Sequence, residues 1–254
     1  LLAGIFTVLS VILTAFGLTG TGESGGVAGF GRTFASLLNL SLLIVPLIGL
    51  ILGAMSVASE RDQQTLYTLL SHPISPTDLI WGKFLGGMVL LGSAVLVGFG
   101  SSGLLLFMSG ADMPVGQFAG QMGLTLLLGW VCLALGMVVS TLVKRGATAV
   151  GIALLMWLAL VFISDLGIIG TAIALQLKAQ TLLWLTFLNP LQVFKIAVIQ
   201  LMEGNLEVLG SAGLYARDRF GDGVLWVGVG ALLAWLATRL LIAWTWFTKR
   251  GARE

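Results

Sequence analysis

Residues Ser59–Lys83 read SERDQQTLYTLLSHPISPTDLIWGK. A long uncharged apolar run flanks this stretch on each side, and no polar interruption before residue 174 is longer. It carries two helix-start signals. Ser59 with Asp62 three residues on has the capping-box spacing, and Glu60 and Asp62 would place negative charge at the positive end of a helix dipole. On that reading a short amphipathic helix starts at Ser59 and carries Leu66, Tyr67, Leu69 and Leu70. It stops at Pro73, which has no N–H to donate and pushes its predecessor out of the helical region. A second start follows at once, with Ser75 as N-cap, Pro76 at the first helical position and Asp78 at the third. The expected structure is a short helix, a hard turn and a fresh helix entering an apolar layer. The plainer alternative, a bare loop between two spans, has no use for two capping signatures.

That layer is a membrane. Of 254 residues 57% are hydrophobic and 9% charged, with mean hydropathy +1.04, whereas about a quarter of a soluble domain is charged. The net charge of +2 is spread thinly and gives no reason to expect nucleic acid as a partner. The single cysteine, Cys132, excludes an intrachain disulfide, and with one histidine, His72, it excludes a His/Cys metal cluster within the chain. No GxxxxGK[ST] occurs, so the chain has no phosphate-binding loop of its own. Met108, Met113 and Met122 have no spacing that amounts to a soft-metal site.

Outward from Ser59–Lys83, Phe34–Ala58 is uncharged over 25 residues, enough to cross about 30 Å of hydrocarbon. Pro46 is expected to kink it. Leu1–Leu18 is an apolar first span, and the Gly- and Ser-rich Thr19–Arg32 is a loop. Phe84–Met108 is the third span, and Gly82 with Gly86 forms a small-xxx-small pair suited to close helix approach. Gln117–Val143, Ala147–Ile173 and Val224–Phe247 complete six spans.

Thr181–Met202 is apolar enough to suggest a seventh span, but Asn189–Pro190 breaks it and Lys195 charges it. Charge asymmetry decides. With six spans, Arg61, Lys83, Lys144, Arg145, Lys249, Arg250 and Arg253 share one side, and the short loops opposite hold only Arg32. A seventh span would carry the basic C-terminus across. Thr181–Met202 is therefore read as broken helices lying on the outer surface or dipping into it, within an enlarged outer segment 174–223. The basic face is cytoplasmic. Trp81, Trp244 and Trp246 fall at the inner interface and Trp226 at the outer one.

Two charges lie inside spans. Asp165 sits roughly 12 Å from the outer end of its span and Arg239 roughly 15 Å from the inner side, at 1.5 Å per residue. They differ in depth, so a direct pair is not the simplest reading. Arg239 is expected to snorkel inward. Asp165 either faces the bundle interior or a wet cavity, or reaches the outer interface; both stay open. This shortage of convergent polar groups disfavours an intramembrane enzyme and an ion-driven transporter.

The run Ser59-Glu60-Arg61-Asp62, then Thr65-Leu66-Tyr67-Thr68-Leu69-Leu70-Ser71-His72-Pro73-Ile74-Ser75, then Gly82-Lys83-Phe84, resembles the membrane subunits of ABC-2-type transporters. Their signature is an acidic residue, G-T-L-x-x-L-L-x-x-P-I/L and a later G-K; here Gln64 replaces the glycine before the threonine. The resemblance covers nearly the whole chain. It implies an all-α, polytopic, type V exporter-like fold of six transmembrane helices, with an extended periplasmic segment before the sixth, in a bacterial inner membrane. It also implies a second copy of the chain and separate cytoplasmic ATP-binding subunits. ATP and Mg are then held by those subunits, with no catalytic residue, cofactor or metal on this chain. Glu60, Arg61, Asp62, Gln63, Thr65, Leu66, Tyr67, Leu69 and Leu70 fall in the family's ATPase-coupling helix. Leu188-Asn189-Pro190, Phe194-Lys195 and Ala212-Gly213-Leu214-Tyr215-Ala216 are similar to the permeases of NosDFY-type systems, which serve copper-site maturation of nitrous oxide reductase. That narrower likeness implies a NosF-like ATPase and a NosD-like periplasmic partner. Asn189, Pro190, Phe194, Lys195, Tyr215 and Arg217 then belong to the segment facing that partner. The competing expectation is an ABC-2 exporter of a lipid, drug or polysaccharide.

Overall fold

The computed structural model describes residues 2–19, 27–65, 75–110, 114–162, 179–202, 219 and 221–251. These residues are helical throughout apart from turns. The helices are α1 (Leu2–Thr19), α2 (Val27–Asp62), α3 (Pro76–Met108), α4 (Val115–Leu142), α5 (Gly146–Phe162), α6 (Ala179–Phe187), α7 (Pro190–Leu201) and α8 (Val224–Trp246), the last closed by a π-helical turn at Phe247–Gly251. Stretches within α2, α3, α4 and α8 are long and apolar enough to cross a membrane. Among the described residues α1, α5 and α7 are shorter apolar helices.

The helix α4 is the hub. It packs most extensively on α2 and also meets α3, α5, α7 and α8, while α1 lies against α2 and α3. Lipid tails are as apolar as leucine, so such helices associate through close packing and polar ties rather than the hydrophobic effect. Both are present. Gly49 and Gly53 of α2 face Gly129, Leu133 and Gly136 of α4 with backbone against backbone. By contrast, among the described residues of the chain nothing lies within 4 Å of a Cβ at Gly82 or Gly86, and the close approach within the chain is at Gly49 and Gly53. The polar ties include Ser10 Oγ to the Gly98 carbonyl (3.0 Å), Gln121 Nε2 to Phe34 O (3.1 Å) and Trp157 Nε1 to Leu43 O (2.9 Å). Phe6, Phe99 and Phe118 fill the space between α1, α3 and α4, with ring centroids 6.3 and 5.6 Å apart.

Two expectations about element bounds change. The loop Thr19–Arg32 is shorter, because α2 already begins at Val27. Ser59 is not an N-cap: α2 runs through it to Asp62, and its hydroxyl donates to the Met55 carbonyl one turn back at 2.6 Å. The polar contacts of Glu60 to Lys83, Arg61 to the Val143 carbonyl and Asp62 to Gly146 N hold this last turn of α2 in place and override the local capping signal.

The break at Asn189–Pro190 is as expected. The Asn189 side chain accepts from Leu191 N at 3.0 Å and donates to the α5 carbonyl of Leu160 at 2.8 Å, and Pro190 opens α7. Within the bundle α7 is packed rather than exposed. Pro190, Leu191, Val193, Phe194, Ala197 and Val198 are buried, and Gly228 of α8 closes on Ala197. Replacing Asn189 by alanine is expected to cost about 2 kcal/mol, because it removes both a cap and an interhelical bond. A thermal melt of the purified protein reads that loss.

Candidate functional site

At the Asp62 end of the bundle, polar side chains of α2 and α3 converge with backbone groups of the α4–α5 turn. The last turn of α2 supplies Glu60, Arg61 and Asp62 in sequence, and each meets a different neighbour. Glu60 forms a salt bridge to Lys83 of α3. Lys83 also donates to the Ser56 carbonyl at 2.6 Å. Arg61 Nη1 donates to the Val143 carbonyl at 3.1 Å, satisfying an acceptor just past the end of α4. Asp62 Oδ2 accepts from Gly146 N at 3.2 Å, which places a carboxylate at the positive N-terminus of α5. One turn further in, the buried Ser140 hydroxyl of α4 accepts from Val57 N and Ala58 N, both at 2.8 Å. Together these contacts clamp the end of α2 to α3, α4 and α5.

The chain then leaves the helix sharply. Gln63 N still reaches Ser59 O at 3.1 Å, Gln64 N reaches Arg61 O at 3.2 Å, and Gln64 adopts φ +59°. This is the left-handed region, where a side chain costs about 1–2 kcal/mol and glycine costs almost nothing. Thr65 follows, its hydroxyl donating to Glu60 O at 3.2 Å. The position where this chain departs from the ABC-2 glycine is therefore the one whose backbone asks for glycine. Gln64→Gly is expected to raise stability by about 1 kcal/mol, read as a higher melting temperature.

Across the turn, α3 starts as read from the sequence. Ser75 Oγ accepts from Asp78 N at 3.1 Å, Asp78 accepts in return from Ser75 N at 3.3 Å, and Pro76 occupies the first helical position. Trp244 Nε1 of α8 donates to Thr77 Oγ1 at 3.2 Å, tying the last helix to the same end.

Among the residues expected to matter, Glu60, Arg61 and Asp62 come together but as the last turn of α2, not the first turn of a separate helix. Gln63 and Thr65 lie in the turn, whereas Leu66, Tyr67, Leu69 and Leu70 lie outside the described residues. Of the outer group, Phe194 is fully buried and Pro190 is buried in the core, Asn189 caps α7 and Lys195 is half-buried. Tyr215, Arg217 and Asp165 lie outside the described residues. Arg239 does not run toward the Lys249 end. Its guanidinium carbon stands 4.4 Å from the centroid of the Trp235 ring, one turn back, and its buried Nε has no hydrogen-bond partner among the described residues. Helical side chains lean toward the N-terminus of their helix, so the aromatic face one turn back is the nearer support. Ser140 and the backbone groups of Val143 and Gly146 were not singled out by sequence reasoning. Ser140 is a lone hydroxyl in an apolar helix, and nothing local reveals that its partners lie on α2.

The family model described as ABC-2 family transporter protein matches residues 4–252. The chain belongs to the ABC-2 transporter family. Two curated relatives carry the same printed name, "Probable ABC transporter permease protein NosY". The one from Stutzerimonas stutzeri is 32% identical over 252 residues, spanning 97% of this chain and 90% of the relative. The one from Pseudomonas aeruginosa is 32% identical over 253 residues with the same coverage. The clamped end around Glu60–Lys83 is thus part of an ABC-2 permease, a multi-pass membrane protein similar to NosY.

Proposed function

We propose that the chain is the membrane-spanning subunit of an ABC transporter. It couples ATP hydrolysis by a separate cytoplasmic, NosF-like ATPase to a conformational change across the bacterial inner membrane. It acts as a homodimer of six-span protomers with the C-terminus in the cytoplasm. It serves copper-site maturation of nitrous oxide reductase together with a NosD-like periplasmic partner. The observation that carries this reading is 32% identity to NosY-named permeases along 97% of the chain.

The clamp gives the coupling a physical form. The apolar residues Leu66, Leu69 and Leu70 would seat in a groove of the ATPase, as amphipathic helices do. A push there enters α2 just beyond Asp62. Because Glu60, Arg61, Asp62 and Ser140 join the ends of α2, α3, α4 and α5, the push moves four helices as one block rather than bending one. Tilting of that block would reach the outer segment 174–223, where Tyr215 and Arg217 are proposed to meet the periplasmic partner. Burial of Phe194 and Pro190 gives them a different part, anchoring α7 in the helix bundle.

Affinity purification of the intact complex in mild detergent, with mass spectrometry of every co-purifying chain, tests the reading. Recovery of an ATP-binding subunit with a periplasmic repeat protein supports it. An ATP-binding subunit alone leaves the second reading, an ABC-2 exporter of a lipid, drug or polysaccharide. Absence of any ATP-binding subunit overturns both.

A further inference from the structure

We infer that Ser140 is the positioning residue of the clamped end: its hydroxyl stands in the hydrogen-bond ladder of α2 and sets the direction of that helix's last turn. Helix α4 reaches α2 through Gly136, where a Cβ would stand 2.9 Å from Ala54 N. Ser140 lies one turn further along the same face of α4. At so close a crossing a short side chain meets backbone rather than side chains. The Ser140 hydroxyl accepts from Val57 N and Ala58 N, both at 2.8 Å, and all three residues are fully buried. In a regular helix those two N–H groups serve the carbonyls of Gly53 and Ala54. Here the Gly53 carbonyl takes the Ser56 hydroxyl at 2.7 Å. The Met55 carbonyl takes the Ser59 hydroxyl and the Ser56 carbonyl takes the Lys83 ammonium, both at 2.6 Å. Side chains from α2, α3 and α4 thus serve the backbone of residues 53–58. A side chain entering the i→i−4 ladder is one of the few causes of a local change in helix direction. An apolar layer tolerates it where hydroxyls answer the backbone groups.

Glu60, Arg61 and Asp62 follow directly, and each must face a different partner: Lys83, the Val143 carbonyl and Gly146 N. From Ala58 to Asp62 the helix rises about 6 Å. A change of direction of about 20° at Ala58 moves Asp62 by about 2 Å, enough to break a hydrogen bond. The two bonds of Ser140 lie in the buried interior, where the low dielectric strengthens them. Glu60 and Lys83 are partly exposed by comparison. The buried hydroxyl therefore leads and the charged contacts follow. This geometry stands by itself; its bearing on ATPase docking rests on the function proposed above, because the docking segment leaves from this turn.

The test asks whether Ser140 controls a pair it is not bonded to. Melting temperatures of the purified protein in lipid nanodiscs are measured for the natural chain, Lys83→Met, Glu60→Leu and the double variant. The set is repeated in a Ser140→Ala and in a Ser102→Ala background. Ser102 is a buried hydroxyl of α3 with no hydrogen-bond partner among the described residues, so it controls for the loss of a buried hydroxyl as such. The non-additive part of the Lys83 and Glu60 shifts should be present in the natural and Ser102→Ala chains and lost in Ser140→Ala. If Ser140→Ala gives no folded protein, Ser140→Cys keeps the volume with only a weak acceptor and should show the same loss. An equal non-additive part in all three backgrounds overturns the inference, because Ser140 then only fills the crossing. Its absence from the natural chain overturns it too. Co-purification adds the functional arm: retention of the ATP-binding subunit should fall in Ser140→Ala and hold in Ser102→Ala. Full retention by a Ser140→Ala chain that has lost the non-additive part would overturn the link to docking. A natural chain that retains no ATP-binding subunit would overturn the proposed function, and the melting temperatures would still decide the role of Ser140.

Discussion

Replacing Gly53 by alanine is expected to prevent α2 and α4 from seating. A Cβ at this position would fall on the carbonyl oxygen of Leu133 and come within 2.7 Å of Met137 N and 2.8 Å of Gly136 Cα. These are backbone atoms of the most buried span, so no side chain can swing aside. Gly136 meets the same problem from the other side, with Ala54 N and Gly53 Cα both at 2.9 Å. Overpacking a flexible core typically costs about 1–3 kcal/mol. Against rigid backbone the cost should reach about 3 kcal/mol or more, most of the stability of an ordinary domain being only about 5–15 kcal/mol. Gly53→Ala should therefore collapse the monodisperse yield in detergent. Gly86→Ala is the control: nothing lies within 4 Å of its Cβ, so it should melt at or slightly above the wild-type temperature, because alanine is the better helix former. Equal behaviour of the two variants would mean that the α2–α4 crossing is not as close as described.

Lys83→Met should produce the second large effect. The Lys83 and Glu60 side chains are 17% and 29% exposed, so the pair is neither a surface bridge nor fully buried. Exposed pairs contribute less than about 1 kcal/mol, whereas removing one partner of a buried pair costs about 3–5 kcal/mol because the remaining charge is stranded. For this geometry a loss of about 2 kcal/mol is expected. Glu60 contributes to the penalty: its Oε2 is buried and has no hydrogen-bond partner among the described residues, so loss of Lys83 leaves the carboxylate without its ammonium. Glu60→Leu in the Lys83→Met background should recover most of the loss. A double-mutant cycle on melting temperature or denaturant midpoint measures that coupling directly. Additive single effects would show that Lys83 and Glu60 act independently.

How much of this was legible in the sequence follows from which signals are local. The α3 start at Ser75-Pro76-Asp78 uses only neighbouring residues, and it appears as read. The Asn189–Pro190 break is likewise local and likewise found. Ser59 misleads because its capping pattern competes with one more turn of α2, which Glu60, Arg61 and Asp62 hold through contacts distant in sequence. The clamp lay beyond reach because its halves are about eighty residues apart: Arg61 with Val143, Asp62 with Gly146, Val57 with Ser140. Small-residue spacing suggested close helix approach at Gly82 and Gly86, but the same spacing at Gly49 and Gly53 is the one used. Spacing alone does not say which face meets a neighbour. The family resemblance was legible from the 59–84 motif, and the departure at Gln64 gained its meaning only with the backbone angle.

The claim at the centre is that an ATP-binding subunit docks beside the clamp, on the segment that follows Thr65. The most direct measurement is co-purification and ATP hydrolysis of the reconstituted complex in lipid nanodiscs, comparing the natural chain with a Leu66→Asp, Leu69→Asp variant. The expected result is a permease that elutes and melts like the natural protein but no longer retains the ATP-binding subunit. Retention of that subunit with unchanged ATP hydrolysis would contradict the claim.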